Sequence, residues 1–288
     1  LSTVKYNFLM TQVLKKSKNL QILISTKGKK DLSFLDKMFK NCNPMDYSII
    51  VVDQSESEKD LSAISEKFDI KYYNVQANGL SNSRNFAISK SSSAICLLCD
   101  DDVIYEKDFY KIIINSFDQN DSDVITYYAK NDNGSLFKDY PSLINHNYKS
   151  ISYINSFLIA FKREKIVANN IKFDPLFGLG AIFQTADEYI FLRNILENKL
   201  RITSCPKIIL THPTESSGQD AGIDKNIFAR AAIFYKFYGY VSYVKLIHHI
   251  FLLKKKNMIY FNEIISKFMV GLKGIKKFKS LKWIRLKM

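Results

Sequence analysis

Short apolar runs alternating with helical periodicity organise the first third of the chain. Gln21-Ile-Leu-Ile-Ser25 opens the series, and after Thr26-Lys-Gly-Lys-Lys30 the apolar positions Leu32, Phe34, Leu35, Met38 and Phe39 return at helix spacing. The second run, Tyr47-Ser-Ile-Ile-Val-Val52, stops at Asp53; Leu61, Ile64, Ser65 and Phe68 mark a helix after it, and Ile70 to Val75 is a third strand. Ser81 to Ser89 reads as a helix whose start holds Ser81, Asn82 and Ser83, all good capping residues. It leads into Ala94-Ile-Cys-Leu-Leu-Cys99, a run without turn formers that reads as a strand buried on both faces. The alternation predicts an α/β fold, a Rossmann-like, mostly parallel sheet covered by helices with right-handed crossovers.

Further along, the pattern loosens. Phe109 to Phe117 continues as a helix and Asp123 to Tyr128 as a strand, whereas 131–149 is polar, rich in Asn and expected to be an exposed loop. Ser152 to Phe161 reads as a mostly apolar strand, Phe173 to Gly180 as turns, and Ala186-Asp187-Glu188 as the opening of a helix, where the dipole favours ionised carboxylates. Ile208-Ile-Leu-Thr-His212 ends a strand in a histidine, and from Asp224 onward the chain reads helical. The expected division is one domain over 1–222 and a helical basic extension over 223–288.

Charge sharpens that division. The chain has 288 residues and a net charge of +14, yet residues 245–288 hold twelve Lys or Arg against one acid, Glu263. The basic character is therefore a property of the tail. There Ile259, Phe261, Ile264, Ile265, Phe268, Met269 and Leu272 form an apolar face complemented by Lys267, Lys273, Lys276, Lys277 and Lys279, with Trp283 near the end. This suits a helix lying in the interface of an anionic membrane, or one packed on the domain with a solvated basic side. A nucleic-acid partner is not expected, because no RNA- or DNA-reading motif accompanies the charge. No signal-peptide pattern and no run near the 18 or so apolar residues of a membrane span is visible, so the expected location is cytoplasmic, at the inner face of the cell membrane. The first residue is Leu rather than Met, which points to residues ahead of it. Of the four cysteines, Cys96 and Cys99 lie in an apolar strand and read as buried structural thiols.

Candidate chemistry gathers at Asp100-Asp101-Asp102. Three adjacent carboxylates repel one another unless something opposes their charge, and ligands of open parallel sheets sit outside the carboxyl ends of strands. Ser25, Thr26 and Asp53 end neighbouring predicted strands and would line the same pocket, although Asp53 also suits a turn or cap.

These residues resemble the family 2 glycosyltransferases of GT-A fold, the bacterial surface-polysaccharide type. The resemblance spans residues 20–218 through Val51-Val-Asp53, Gly79-Leu-Ser-Asn-Ser-Arg-Asn85 and the acidic triplet, and more loosely through Asp187-Glu188, His212-Pro213 and Ser216-Ser217-Gly218. It implies a nucleotide-sugar-binding half at about 20–128 and an acceptor half at about 129–222. It implies an inverting, hexosyltransferase-type enzyme that uses Mn2+ or Mg2+ and moves a sugar from a UDP-sugar to a hydroxyl of a glycan or lipid-linked acceptor. In that scheme Glu188 is the first choice of base and Asp187 the second, the order Asp-Glu departing from the usual Glu-Asp. Asp102 is the principal metal ligand, and Asp100 and Asp101 belong to the donor site with Ser25, Thr26 and Asp53. Arg84 faces the diphosphate or is a surface arginine, and His212 completes the metal shell or is structural. Two other classes remain at this point. A sugar nucleotidyltransferase would want more than the single glycine of Ser25-Thr-Lys-Gly-Lys-Lys30; a basic membrane- or nucleic-acid-binding module would leave the acids purely structural.

Overall fold

The computed structural model describes residues 18–60, 62–76, 78–140, 144–213 and 221–285. The Ser216-Ser217-Gly218 element and the side chain of Trp283 lie outside the described residues. In chain order the strands are β1 (Leu20–Thr26), β2 (Ser48–Asp53), β3 (Ile70–Asn74), β4 (Ile95–Cys99), β5 (Ile104–Tyr105), β6 (Val124–Lys130), β7 (Ile159–Lys162) and β8 (Ile202–Thr211). The helices are α1 (Phe34–Met38), α2 (Ser62–Ser65), α3 (Leu80–Lys90), α4 (Phe109–Gln119), α5 (Arg163–Ala168), α6 (Asp187–Glu197), α7 (Asp224–Tyr238), α8 (Ser242–Lys255) and α9 (Ile264–Arg285).

The strands form one sheet in the order β3-β2-β1-β4-β7-β6-β8-β5. The first four pair in parallel, and only β7 and β5 run against the rest. Every residue of β1, β2 and β4 is buried, as their unbroken apolar runs predict. Their side chains alternate between two cores: Ile22, Ile24, Ile49, Val51 and Leu97 on one face, Leu23, Ile50, Val52, Cys96 and Leu98 on the other. The first core is sealed by Phe39, Tyr47, Tyr105 and Phe109, with Tyr105 and Phe109 stacked at 4.3 Å. Each such ring contributes roughly 1.5–3 kcal/mol of burial. The register opposes Thr26 to Asp53 and Ile24 to Cys99, so the ends of β1, β2 and β4 lie side by side and the acidic triplet emerges next to Ser25 and Thr26.

Three local expectations are corrected. Ser152 to Phe161 is not one strand: 3-10 turns cover Ser150–Tyr153 and Ser156–Leu158, and only Ile159–Lys162 joins the sheet. Short polar side chains claim the backbone there, Asn147 Oδ1 accepting from the amides of Lys149 and Ser150 and Ser152 Oγ donating to Lys149 O, which competes with a ladder. Ser81, Asn82 and Ser83 do not cap α3, whose N-cap is Gly79 at φ +99°; Ser81 Oγ instead donates to Phe177 O and Ser83 Oγ to Val52 O. Within 131–149, Asp132 to Leu136 are exposed as expected, but Phe137 and Tyr140 pack against the core.

Past Ile223 the chain forms three helices that pack back onto the sheet domain. Phe177, Phe183 and Ile190 share a core with Ala229, Ala232, Ile233 and Phe278. In α9, Gly274 is forced by contact: an added Cβ would lie 2.2 Å from the carbonyl oxygen of Phe228. Gly274→Ala, which on helix propensity alone would stabilise by up to about 1 kcal/mol, is therefore expected to destabilise by roughly 1–3 kcal/mol in urea unfolding, since α9 must move off α7.

Candidate active site

The site is assembled by α3, whose polar residues point inward. Asn85 Nδ2 donates to Phe173 O at 2.9 Å and its Oδ1 accepts from the Phe173 amide at 2.8 Å, while Ser81 Oγ reaches Phe177 O at 2.7 Å. These bonds fix the turn-rich segment that leads into α6. Gly178, at φ +99°, leaves the space for the acid that follows: a Cβ there would stand 2.9 Å from Asp187 Cγ. Ala186, at φ +66°, then turns the chain sharply into the helix.

Arg84 lies at the centre of this assembly and is 2% exposed. Its Nη1 donates to Asp187 Oδ2 at 2.5 Å, and its Nη2 donates to Asp100 Oδ1 at 2.8 Å and to Ser156 Oγ at 2.6 Å. The guanidinium also lies 5.5 Å from the Phe173 ring centroid. It is neither a surface arginine nor an outward fork: its terminal nitrogens are occupied by protein, and it joins the end of β4 to the start of α6.

Each acid of the triplet has its own partner, which relieves their mutual repulsion. Asp100 takes Arg84; Asp101 accepts from Thr26 Oγ1 at 2.5 Å and faces Lys29 Nζ at 3.3 Å; Asp102 faces His212 Nε2 at 3.6 Å. Asp102 is the most open of the three, 46% exposed. Lost hydration on its protein side pushes its carboxyl up, His212 opposing and Asp100 and Asp101 reinforcing the shift. His212 Nδ1–H donates to Pro213 O at 2.7 Å, which turns Nε2 toward Asp102. The ring stacks on Phe157 at 4.5 Å and meets Phe137 at 4.9 Å. A 3.6 Å gap is too long for a hydrogen bond but fits two ligands of one ion, each about 2.1 Å from it. Among the described residues no group of three or more His, Cys, Asp or Glu closes a cage of its own, so phosphate oxygens and water would complete such a shell.

Ser25 and Asp53 sit at the same sheet edge. Ser25 Oγ is buried without a partner among the described residues, a hydroxyl suited to a ligand. Both carboxylate oxygens of Asp53 are engaged: Oδ1 accepts from the amide and hydroxyl of Ser55 at 2.8 and 2.6 Å, and Oδ2 accepts from Tyr72 at 2.9 Å.

At the start of α6, Glu188 keeps part of its surface open. Burial, the Asp187 charge and a hydrogen bond with Asp187 together raise its carboxyl to about 8. Burial and the neighbouring charge thus outweigh the helix dipole expected to keep it ionised. Burial also lowers the Lys138 ammonium to about 8, Glu188 partly opposing. Periodicity did not reveal Ser156, Lys138 or the aromatic walls of His212, because these reach the site from loops. Lys29 had a local signal in its basic turn.

The family profile described as Glycosyl transferase family 2 matches residues 22–188, more than half of the chain. The chain belongs to glycosyltransferase family 2. Among solved structures of similar fold, S. aureus TarS 1-349 in complex with UDP-GlcNAc is 15% identical, with TM-score 0.61 and coverage of 91% of this chain and 83% of that one. The mannosyltransferase PcManGT from Pyrobaculum calidifontis in complex with GDP-Man and Mn2+ is 13% identical, with TM-score 0.56 and coverage of 96% and 82%. No curated protein matches at the sequence level. The family, with its GT-A fold and flanking helices, makes the chain a glycosyltransferase and sets aside the nucleotidyltransferase and the purely binding module.

Replacing Arg84 by Met leaves Asp187 buried without its cation, so this glycosyltransferase is expected to lose roughly 3–5 kcal/mol of stability in urea unfolding, far more than a surface arginine would cost.

Proposed function

We propose that the enzyme moves a sugar from a nucleotide-diphosphate donor, a UDP-sugar in the first instance, to an acceptor hydroxyl with inversion. The observation that carries this reading is the Arg84 bridge, which holds the acidic triplet and the Asp187–Glu188 pair in one site. Ser25, Thr26 and Asp53 lie beside the triplet at the edge where a nucleotide binds such sheets, Asp53 acting through the Ser55 turn. Asp102 and His212 would hold Mn2+ or Mg2+; when bound, the ion would neutralise charge on the diphosphate. Asp101 supports Asp102 through Thr26 and Lys29, and Arg84 positions Asp100 and Asp187 rather than touching the diphosphate.

Glu188 takes the acceptor proton as the hydroxyl oxygen bonds to the anomeric carbon, while the carbon–oxygen bond to the diphosphate breaks and its electron pair leaves with the phosphate. Asp187 tunes the pair, and the half-buried Lys138 lies near enough to act on Glu188 electrostatically. Because the base must be unprotonated and the pair holds its proton up to about pH 8, kcat/KM is expected to rise with pH and level off near that value. Glu188→Gln should remove this limb and lower kcat by roughly 10²–10⁴ with donor affinity nearly intact. Asp102→Asn should instead weaken Mn2+-dependent UDP binding, measured calorimetrically.

The acceptor half of this reading includes a membrane. Tyr240, in the 3-10 turn ahead of α8, and Val244, Ile247 and Phe251 along it recur at helical spacing and stand exposed, Phe251 at 62%. The apolar face expected in the tail is divided: Ile259 is buried and Ile264, Phe268 and Leu272 pack inward, while Phe261, Ile265 and Met269 remain outside. Lys254, Lys255 and Lys256 lie between these two exposed stripes in the chain. Among the described residues no helix is long and apolar enough to cross a membrane, so this surface would lie in the interface, where a lipid-linked acceptor at the inner face of the cell membrane could be met. Ile247→Glu with Phe251→Glu is expected to abolish sedimentation with anionic vesicles while leaving UDP binding unchanged; unchanged sedimentation would contradict attachment by this surface.

A further inference from the structure

A cavity opens directly ahead of Asp187 and Glu188. Thr185 and Ala186 form one wall, Asn226 and Arg230 of α7 another, and His249 of α8 contributes a third, around about 60 Å³. That volume is about two waters' worth of space, close to the size of one tetrahedral oxyanion. Ala186 is also the strained residue that starts α6, so the cavity wall and the helix carrying Glu188 share a backbone position.

Arg230 is half-buried at the edge of this cavity, and among the described residues no hydrogen bond or ion pair reaches its guanidinium. Burial lowers its pKa, partly offset by Tyr189 and Glu188, which are near enough to act on it. A guanidinium that lines a cavity without a hydrogen-bonding protein partner is free to meet a ligand of opposite charge there. His249 packs edge-on against Phe234 at 5.8 Å and is kept neutral by burial, by Arg230 and by His248, so it adds one N–H donor.

We propose that this cavity receives one phosphoryl group of the acceptor, gripped by Arg230 with His249 as a further donor. The inference rests on the sugar-transfer reading above: an anion seated here brings a neighbouring acceptor hydroxyl toward Glu188. A guanidinium fork matches phosphoryl oxygens in pairs. The group could be a monoester end or a diester linkage, and the two differ in whether a second carbon chain must leave the cavity.

The test is a thermal-shift and calorimetric titration of the full chain in EDTA with inorganic phosphate, glycerol 3-phosphate, a bis-glycerol phosphodiester and acetate. Phosphate should raise the melting temperature, and Arg230→Met should weaken its binding at least about tenfold. The ligand-free melting temperature of that variant should hold or rise, because an unpaired charge is replaced by an apolar side chain of similar length. His249→Gln should fall between the two. Binding of glycerol 3-phosphate alone assigns a monoester, and binding of both organic phosphates a diester. The proposal is overturned if wild type shows no phosphate response, if Arg230→Met binds phosphate equally well, if acetate binds as tightly, or if the variant melts several degrees lower with phosphate binding unchanged. Mn2+-dependent consumption of UDP-sugars by the wild-type chain separates the two readings. Turnover without any phosphate response sinks only the acceptor cavity, whereas Arg230-dependent phosphate binding in a chain that consumes no nucleotide sugar sinks the proposed reaction.

Discussion

The guanidinium of Arg84 donates to Asp187, Asp100 and Ser156 from a position nearly closed to water, and the layout of the site follows from satisfying that charge. A buried arginine is tolerable only with carboxylates in good geometry. The carboxylate from β4 and the one from α6 are therefore drawn to a common point. Asp102 is left at the open edge of the triplet, and Glu188 is left beside a neighbour already committed to the cation. Burial and the Asp187 charge raise the carboxyl of Glu188 against the opposing pull of Arg84, and Asp102 keeps an edge open to a ligand.

Around this bridge the polar face of α3 does structural rather than capping work. Asn85 and Ser81 hold the turn at Phe173 to Gly180, Gly178 clears space for Asp187, and Ser83 ties the helix to β2. The motif thus reads as a set of inward hydrogen bonds that join one sheet edge to the segment leading into α6. The C-terminal helices extend that side. Phe278 and Ile233 pack against Phe177 and Phe183, so the tail is built into the wall behind the start of α6 instead of trailing from the domain.

Much of the fold was legible locally. Unbroken apolar runs identify β1, β2 and β4 because both faces of those strands are covered, and the shared edge of Thr26, Asp53 and the acids follows from parallel pairing. What was not legible depends on contacts between distant positions. Arg84 and Asp187 are 103 residues apart, and nothing in either helix announces that one pairs with the other. The same holds for Ser156 and for Lys138, whose segments carry no periodicity. The mistaken strand at Ser152 arose where Asn and Ser side chains captured the backbone, a competition that apolar counting does not register. The dipole expectation for Glu188 failed because burial is a property of the assembled site.

The central claim is that Arg84 makes the acids of β4 and of α6 one energetic unit. A double-mutant cycle on unfolding free energy, Asp100→Asn against Asp187→Asn, measures this directly, since each side chain bonds the guanidinium from a different element. The account predicts a coupling of about 0.5–3 kcal/mol that disappears when the cycle is repeated with Arg84→Met. Additivity within about 0.5 kcal/mol in the wild-type background would contradict it.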